Sequence, residues 1–192
     1  MIPVDNYIFS LCGTVLYADL RTFFRTLVKD EGRALRLLDI VFSSPEWRML
    51  EDGEITREEA QEWLCRRTPE EAGHIRLALK HWLRCLTPRW ETVDLLLDMR
   101  EQGRKLYFAA VLNADGKEYV FKTYPFMSLF EGGVFSCDGG GPMVDSLCAL
   151  YRLDPARSVF VSAGEQQRKA AEAAGFRAVL FTGAERLRDT LI

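Results

Sequence analysis

The sequence predicts an α/β fold, in which a doubly wound parallel sheet carries a small all-helical insert after its first strand. Three observations support this prediction: a buried-strand pattern near the start of the chain, a long helical pattern after it, and strands that then alternate with helices. Such alternation is typical of a parallel sheet with helices on both faces. The 192 residues are enough for one core with a smaller insert.

The first strand is predicted from Asn6 to Leu11, a short run of apolar and aromatic residues. The run ends at Gly13 and Thr14, a pair that favours a tight loop. The sequence therefore indicates a buried strand that opens directly into a turn.

The insert is predicted over residues 18–86, where apolar residues recur at helical spacing. Gly53 interrupts one helix, and Thr56 with Glu59 has the spacing of a capping box that starts the next. We therefore interpret 18–86 as a helical cap.

The core is predicted to comprise residues 1–17 and 87–192. Thr87 and Pro88 favour the N-cap and first turn of a helix, and Gly103 suits its carboxyl end. Strand-like runs follow at 105–112, 158–162 and 177–181, and they alternate with helical patterns near 117–124, 142–151 and 165–174.

Charge and composition exclude several classes of function. The net charge is −3, the pI is near 5.5, and the basic residues are scattered among acids, so nucleic acid is not an expected partner. The longest apolar stretch, 106–112, is too short for a bilayer, and no basic region precedes an apolar one at the N-terminus. We expect no membrane partner and a cytoplasmic location. The five cysteines are odd in number and far apart, so reduced thiols are expected.

The order of these features resembles the haloacid dehalogenase-like (HAD-like) hydrolases with a small helical cap. The first strand ends in F-x-x-x-G-T, and later strands end in an apolar residue, x and Asn, and in F-V-x-x. Residues 44–47 and 53–59 resemble the cap of the sugar-phosphate-phosphatase-like branch, and 153–155 precede the fourth motif as in that family. The resemblance covers nearly the whole chain. It implies a Rossmann-like core and a phosphatase that uses Mg²⁺.

The family's catalytic side chains are missing from the first two motifs. In D-x-D-G-T, the first Asp attacks phosphorus and the second transfers the proton, and this chain has Ser10 and Cys12 at those positions. A Ser or Thr normally precedes the Asn of the second motif and holds a phosphate oxygen. Here Leu112 precedes Asn113, and leucine offers no side-chain hydrogen bond.

The last two motifs have also lost their charges. The third-motif lysine aligns with Gly139, Gly140 or Gly141, of which Gly141 is taken as the degenerate position. The fourth-motif aspartates, which hold Mg²⁺ in the family, align with Ser162 and Ala163. Neutral hydroxyls are poor ligands for Mg²⁺, and phosphoryl transfer depends on cancelling charge at the transferring group.

The resemblance therefore implies a non-catalytic pseudo-phosphatase that acts by binding an unknown small molecule or protein, with no cofactor expected. A vestigial ligand pocket is predicted, formed by Ser10, Cys12, Gly13, Thr14 and Asn113.

Other interpretations stay open. One is a phosphomonoester hydrolase that uses unconventional residues, for example Ser10 with His74 or His81 of the cap as its base. Another is a structural subunit or a homodimer that buries the tryptophans in or beside the cap, although such residues more often fill a small core. These are Trp47, Trp63, Trp82 and Trp90.

Overall fold

A five-stranded sheet, in which all neighbouring strands run parallel, forms the centre of the molecule. The computed structural model describes residues 4–139 and 141–191. The predicted doubly wound α/β fold is confirmed. Across the sheet the strands are β5 (Gly132–Phe135), β4 (Lys105–Ala110), β1 (Asn6–Ser10), β6 (Ser158–Ser162) and β7 (Arg177–Leu180).

Helices cover both faces of this sheet. Three helices that pack on one face are α6 (Trp90–Glu101), α7 (Ala114–Thr123) and α10 (Ala184–Leu191). The opposite face packs against α8 (Met143–Tyr151) and α9 (Glu165–Ala173). Because both faces are covered, every residue of β1 is buried, which explains the apolar run in the sequence.

A short antiparallel ribbon stands where the chain leaves the sheet and returns to it. It consists of β2 (Leu16–Ala18) and β3 (Leu86–Pro88), with Leu16 opposite Pro88. Between these strands lie α1 (Leu20–Leu27), α2 (Glu31–Phe42), α3 (Pro45–Glu51), α4 (Arg57–Arg67) and α5 (Ala72–His81). The division into a core of 1–17 and 87–192 and a cap of 18–86 stays a prediction.

The predicted helix start at Thr87 and Pro88 is wrong. Both residues belong to β3, and the Thr87 hydroxyl donates to the Tyr17 carbonyl at 3.3 Å. Arg89 is the N-cap of α6 instead. The ribbon prevails because Pro88 lies at its end, where a residue without an N–H is tolerated. Gly103 does follow the end of α6, with a left-handed φ of 75°.

The cap has an aromatic centre. The indole rings of Trp47 and Trp82 meet edge to face, with centroids 5.0 Å apart, and Phe42 lies against both. Both tryptophans are 4 % exposed, so they fill the cap and are not part of an accessible surface. Trp63 and Trp90 are more exposed. The capping box of Thr56 and Glu59 is present at the start of α4. None of the helices in the described residues is both long and apolar enough to cross a bilayer.

Candidate functional site

The carboxyl ends of β1, β4 and β6 meet at one edge of the sheet, where open α/β folds bind their ligands. β1 lies between β4 and β6, so the strand ends bring Ser10, Asn113 and Ser162 to the same edge. The structure thus assembles residues from the first, second and fourth motif positions.

Ser10 and Ser162 are joined through a third residue, Gln167 of α9. Each hydroxyl lies 3.0 Å from the Gln167 Oε1 atom. An amide oxygen has two acceptor positions and no proton, so both hydroxyls donate to it. Ser10 is 3 % exposed and Ser162 is fully buried. At the positions where the HAD-like resemblance requires carboxylates, the protein therefore has a closed and uncharged network, which we call the Ser–Gln–Ser network.

The loop after β1 is shaped by its glycine. Gly13 has a φ of 92°, and a Cβ there would lie only 2.6 Å from the Cβ of Ala163. Thr14 is fully buried, and its hydroxyl donates to the Ser10 carbonyl. Gly13 allows this loop to contact the loop that follows β6. The Thr14 hydroxyl stabilises the loop itself through its hydrogen bond to Ser10.

Cys12 is poorly suited to act as a nucleophile. Its Sγ atom lies 3.7 Å from the Val111 carbonyl oxygen. Burial, together with a smaller effect of the nearby Glu51 carboxylate, raises the pKa of the thiol to about 12. Because the thiolate is the reactive form, a thiol with this pKa is inert at neutral pH.

Leu112 and Asn113 have structural roles at the end of β4. Leu112 is buried and lies against Gly116, and Trp82 of the cap reaches the same glycine. Asn113 is the N-cap of α7, and its Oδ1 atom accepts from the Gly116 N–H at 2.9 Å. The Asn113 Nδ2 atom is buried and has no hydrogen-bond partner among the residues that the structure describes. Leu112 thus puts an apolar side chain at the position where the resemblance implies a Ser or Thr that holds a phosphate oxygen.

The glycine cluster has a conformation that disfavours a lysine. Gly139 and Gly141 have φ values of 71° and 89°, in the left-handed region where a side chain is strained, and Gly140 lies outside the described residues. Just before the cluster, Asp138 pairs with Lys117 of α7.

Glu51, at the end of α3, is the carboxylate that acts on Cys12. Burial raises the pKa of Glu51 to about 7, an effect that a hydrogen bond from the Trp47 side chain partly offsets. The Ser136 hydroxyl donates to the Glu51 carbonyl at 2.6 Å. A Cβ on Gly53 would lie 2.6 Å from the Cys137 carbonyl oxygen. The cap is therefore packed closely on the core beside the predicted pocket.

The side chains at the fourth motif do not fit Mg²⁺. Both hydroxyls of the Ser–Gln–Ser network have acceptors within the protein, Gln167 and the carbonyls of Cys12 and Gly164, and Ala163 has no ligand atom. Glu165 forms an ion pair with Arg168, with the closest atoms 2.7 Å apart. Within 4–139 and 141–191, no group of three or more His, Cys, Asp or Glu side chains could hold a metal ion. The absence of a cofactor stays a prediction.

The alternative in which Ser10 acts as a nucleophile with a histidine base requires a hydrogen bond from the Ser10 hydroxyl to an imidazole, and the described residues do not show one. The Ser10 hydroxyl has Gln167 and the Cys12 carbonyl as its acceptors. His74 lies instead beside Glu71, with its Nδ1 atom 3.0 Å from the carboxylate, and Arg33 completes that cluster. No imidazole in the described residues is placed to accept the Ser10 proton.

Known structures share the fold, although no family model and no curated protein sequence matches the chain. A HAD family enzyme from Bacteroides thetaiotaomicron is 21% identical with a TM-score of 0.68, covering 93% of each chain. Its magnesium and inorganic phosphate complex gives a TM-score of 0.70 at 18% identity, covering 92% of this chain and 93% of that one. A predicted HAD-like family hydrolase from Porphyromonas gingivalis is 17% identical with a TM-score of 0.69, covering 98% of both chains.

Proposed function

On the premise that the chain has the fold of the HAD-like hydrolases, we propose that it is a non-catalytic member of that group, which acts by binding a small molecule or a protein. The observation that carries the proposal is the Ser–Gln–Ser network. Ser10 and Ser162 share the neutral Gln167 oxygen at positions where the resemblance requires carboxylates. The sugar-phosphate-phosphatase-like branch stays part of the proposal.

The physical argument concerns charge. Transfer of a phosphoryl group requires positive charge at its oxygens and an activated nucleophile, held in place before the reaction starts. The degenerate motif positions offer two buried serine hydroxyls, a thiol whose pKa is about 12, and a leucine. A set of neutral groups that satisfy one another is stable without a cation, whereas facing carboxylates would repel each other.

The test is a phosphatase assay on p-nitrophenyl phosphate and a panel of sugar phosphates, with Mg²⁺ or with chelator. The Ser10→Ala and Glu51→Gln variants are assayed beside the wild-type chain, because Ser10 stands where the resemblance implies the nucleophile and Glu51 is a carboxylate beside Cys12. We expect the same background rate from all three proteins under all conditions.

Mg²⁺-dependent turnover that persists through purification and disappears in either variant would contradict the proposal. It would support the alternative, a phosphomonoester hydrolase with unconventional residues. Light scattering on the same samples tests the homodimer, since a monomer at high concentration would exclude it.

A further inference from the structure

A cavity of about 750 Å³ lies beside the loop that follows β1. Gly13 and Ala163 line it, and they belong to the loops that end β1 and β6. The rest of its wall comes from the start of α6 and from the segment that joins β7 to α10. Its volume is within the range of small-molecule sites, roughly 300–1,000 Å³. None of the three polar residues of the Ser–Gln–Ser network lines it.

Arg89 is the distinctive group in this cavity. Its guanidinium carbon lies 5.0 Å from the centroid of the Tyr17 ring and 5.9 Å from that of Phe181. The backbone is fixed as well, because the Arg89 N–H donates to the Val15 carbonyl at 2.8 Å and its carbonyl accepts from the Thr92 N–H at 2.9 Å. These contacts hold a cation in place and leave its in-plane N–H groups as donors.

Among the described residues, the Arg89 side chain has no hydrogen-bond acceptor. Its Nε atom is buried and has no hydrogen-bond partner, and no carboxylate in the described residues forms an ion pair with it. A buried donor without an acceptor is costly, and one attached to a charged group more so. An oxyanion in the cavity that Arg89 lines would give its guanidinium group an acceptor.

The other charges of the cavity wall are exposed. Arg186 of α10 adds a second cation with no ion pair among the described residues. Glu91 and Glu185 add two carboxylates, both exposed, so that the formal charges cancel. Solvated carboxylates act weakly at a distance in salt. The field that a bound group experiences is therefore dominated by the partly buried Arg89.

We propose that this cavity binds a small organic anion, whose phosphate or carboxylate group accepts paired hydrogen bonds from Arg89. A planar guanidinium matches two oxygens of such a group at once. Arg186 contributes charge at the cavity wall. The cavity adjoins the vacated catalytic positions through Gly13 and Ala163. Its cations, Arg89 and Arg186, are not among those positions, so anion binding does not depend on whether the chain is catalytic.

The experiment is isothermal titration of the full chain with phenyl phosphate, benzoate and inorganic phosphate, at ionic strength held constant with chloride. We expect saturable binding of at least one of the three, weakened at least tenfold in Arg89→Met, which keeps much of the aliphatic stem. Arg89→Lys keeps the charge but loses the planar guanidinium, so its affinity should lie between those of the wild type and Arg89→Met.

Arg104→Met is the matched control. The Arg104 guanidinium carbon also lies over an aromatic ring, 5.5 Å from the centroid of Tyr7, and its Nη1 donates to the Tyr7 hydroxyl at 2.9 Å. It stands before β4, at the amino edge of the sheet. This variant should bind as the wild type does, and thermal unfolding checks that both Met variants are folded.

Phenyl phosphate alone would identify a phosphate site, benzoate alone a carboxylate site, and both a general oxyanion site. The proposal is overturned if none of the three saturates below about 10 mM, or if Arg89→Met binds as tightly as the wild type. Phenol release in the same samples reports separately on catalysis, so a failure of this proposal is distinguishable from a failure of the inactive assignment.

Discussion

The Glu51→Gln variant tests whether the carboxylate beside Cys12 is held away from water. Burial raises its pKa from 4.5 to about 7. Between these pH values the folded chain keeps a proton that the unfolded chain has released. Stability therefore falls as pH rises from about 4.5 to about 7 and then levels off, because the folded state binds more protons in this window.

The magnitude follows from the width of that window. At about 1.4 kcal/mol per pH unit, the interval between 4.5 and about 7 sets an upper limit of about 3.5 kcal/mol. Remaining solvent contact lowers this limit, so we expect the pH-dependent loss to be about 1 to 3 kcal/mol. Glutamine keeps the shape and cannot ionise, so the variant should gain this amount at about pH 8 and little at about pH 4.5.

The assay is urea unfolding followed by far-ultraviolet circular dichroism across this pH range. Glu54→Gln, which alters an exposed carboxylate of the same loop, is the control and should leave the pH dependence unchanged. Parallel stability curves for the wild type and Glu51→Gln would refute the reasoning, because they would mean that the carboxylate is solvated.

Two further predictions concern the Ser–Gln–Ser network. Gln167→Leu removes the acceptor that two buried hydroxyls share, while the carbonyls of Cys12 and Gly164 stay within reach of them. The free energy of unfolding, measured in urea, should therefore fall by only about 1 kcal/mol. Gln166→Leu on the exposed side should change it by less than about 0.5 kcal/mol, and equal effects would mean that the network contributes nothing. Aspartate at Ser10, Cys12 and Ser162 together should lower the thermal midpoint in chelator and regain it in Mg²⁺, with no Mg²⁺ effect on the wild type. An Mg²⁺-independent midpoint in that triple variant would show that the loops no longer form a metal site.

Much of the sheet could be predicted from the sequence, because its central strands are buried on both faces and read as apolar runs. The edge strand β5 could not, since Gly132 and Gly133 suggest a turn. The structure gives the reason for these glycines. A Cβ on Gly132 would lie 2.2 Å from the Tyr151 hydroxyl, and one on Gly133 would lie 2.5 Å from the Phe108 ring. The glycines make room for aromatic rings from elsewhere in the chain.

The sequence predicted the positions of the candidate site, but not the contacts between its side chains. The motif alignment locates Ser10 and Ser162, and the fold brings them together. Gln167 lies among charged residues near the start of α9, where the sequence suggests solvent exposure. When a helix starts directly after a strand, its first residues lie over the end of that strand. The position of Gln167 near the start of α9, just after β6, is therefore the feature of the sequence that could have indicated its contact with Ser162. Arg89 gave no such signal, because its ring partners, Tyr17 and Phe181, are distant in sequence.

Because Ser10 and Ser162 share the Gln167 oxygen, a single substitution at either serine towards the aspartate of a metal site is unfavourable. Aspartate at Ser10 alone would put a carboxylate against the Gln167 oxygen and remove the donor that this oxygen accepts from. Aspartate at Ser162 alone would do the same from the other side. Each intermediate has a buried charge without a counterion, which is costly, and the benefit of a cation comes only when several carboxylates are present. Each single substitution towards a metal site is therefore unfavourable by itself, and only the combined substitutions would be favourable. Reversion of the neutral pocket to metal binding by one substitution at a time is for this reason disfavoured.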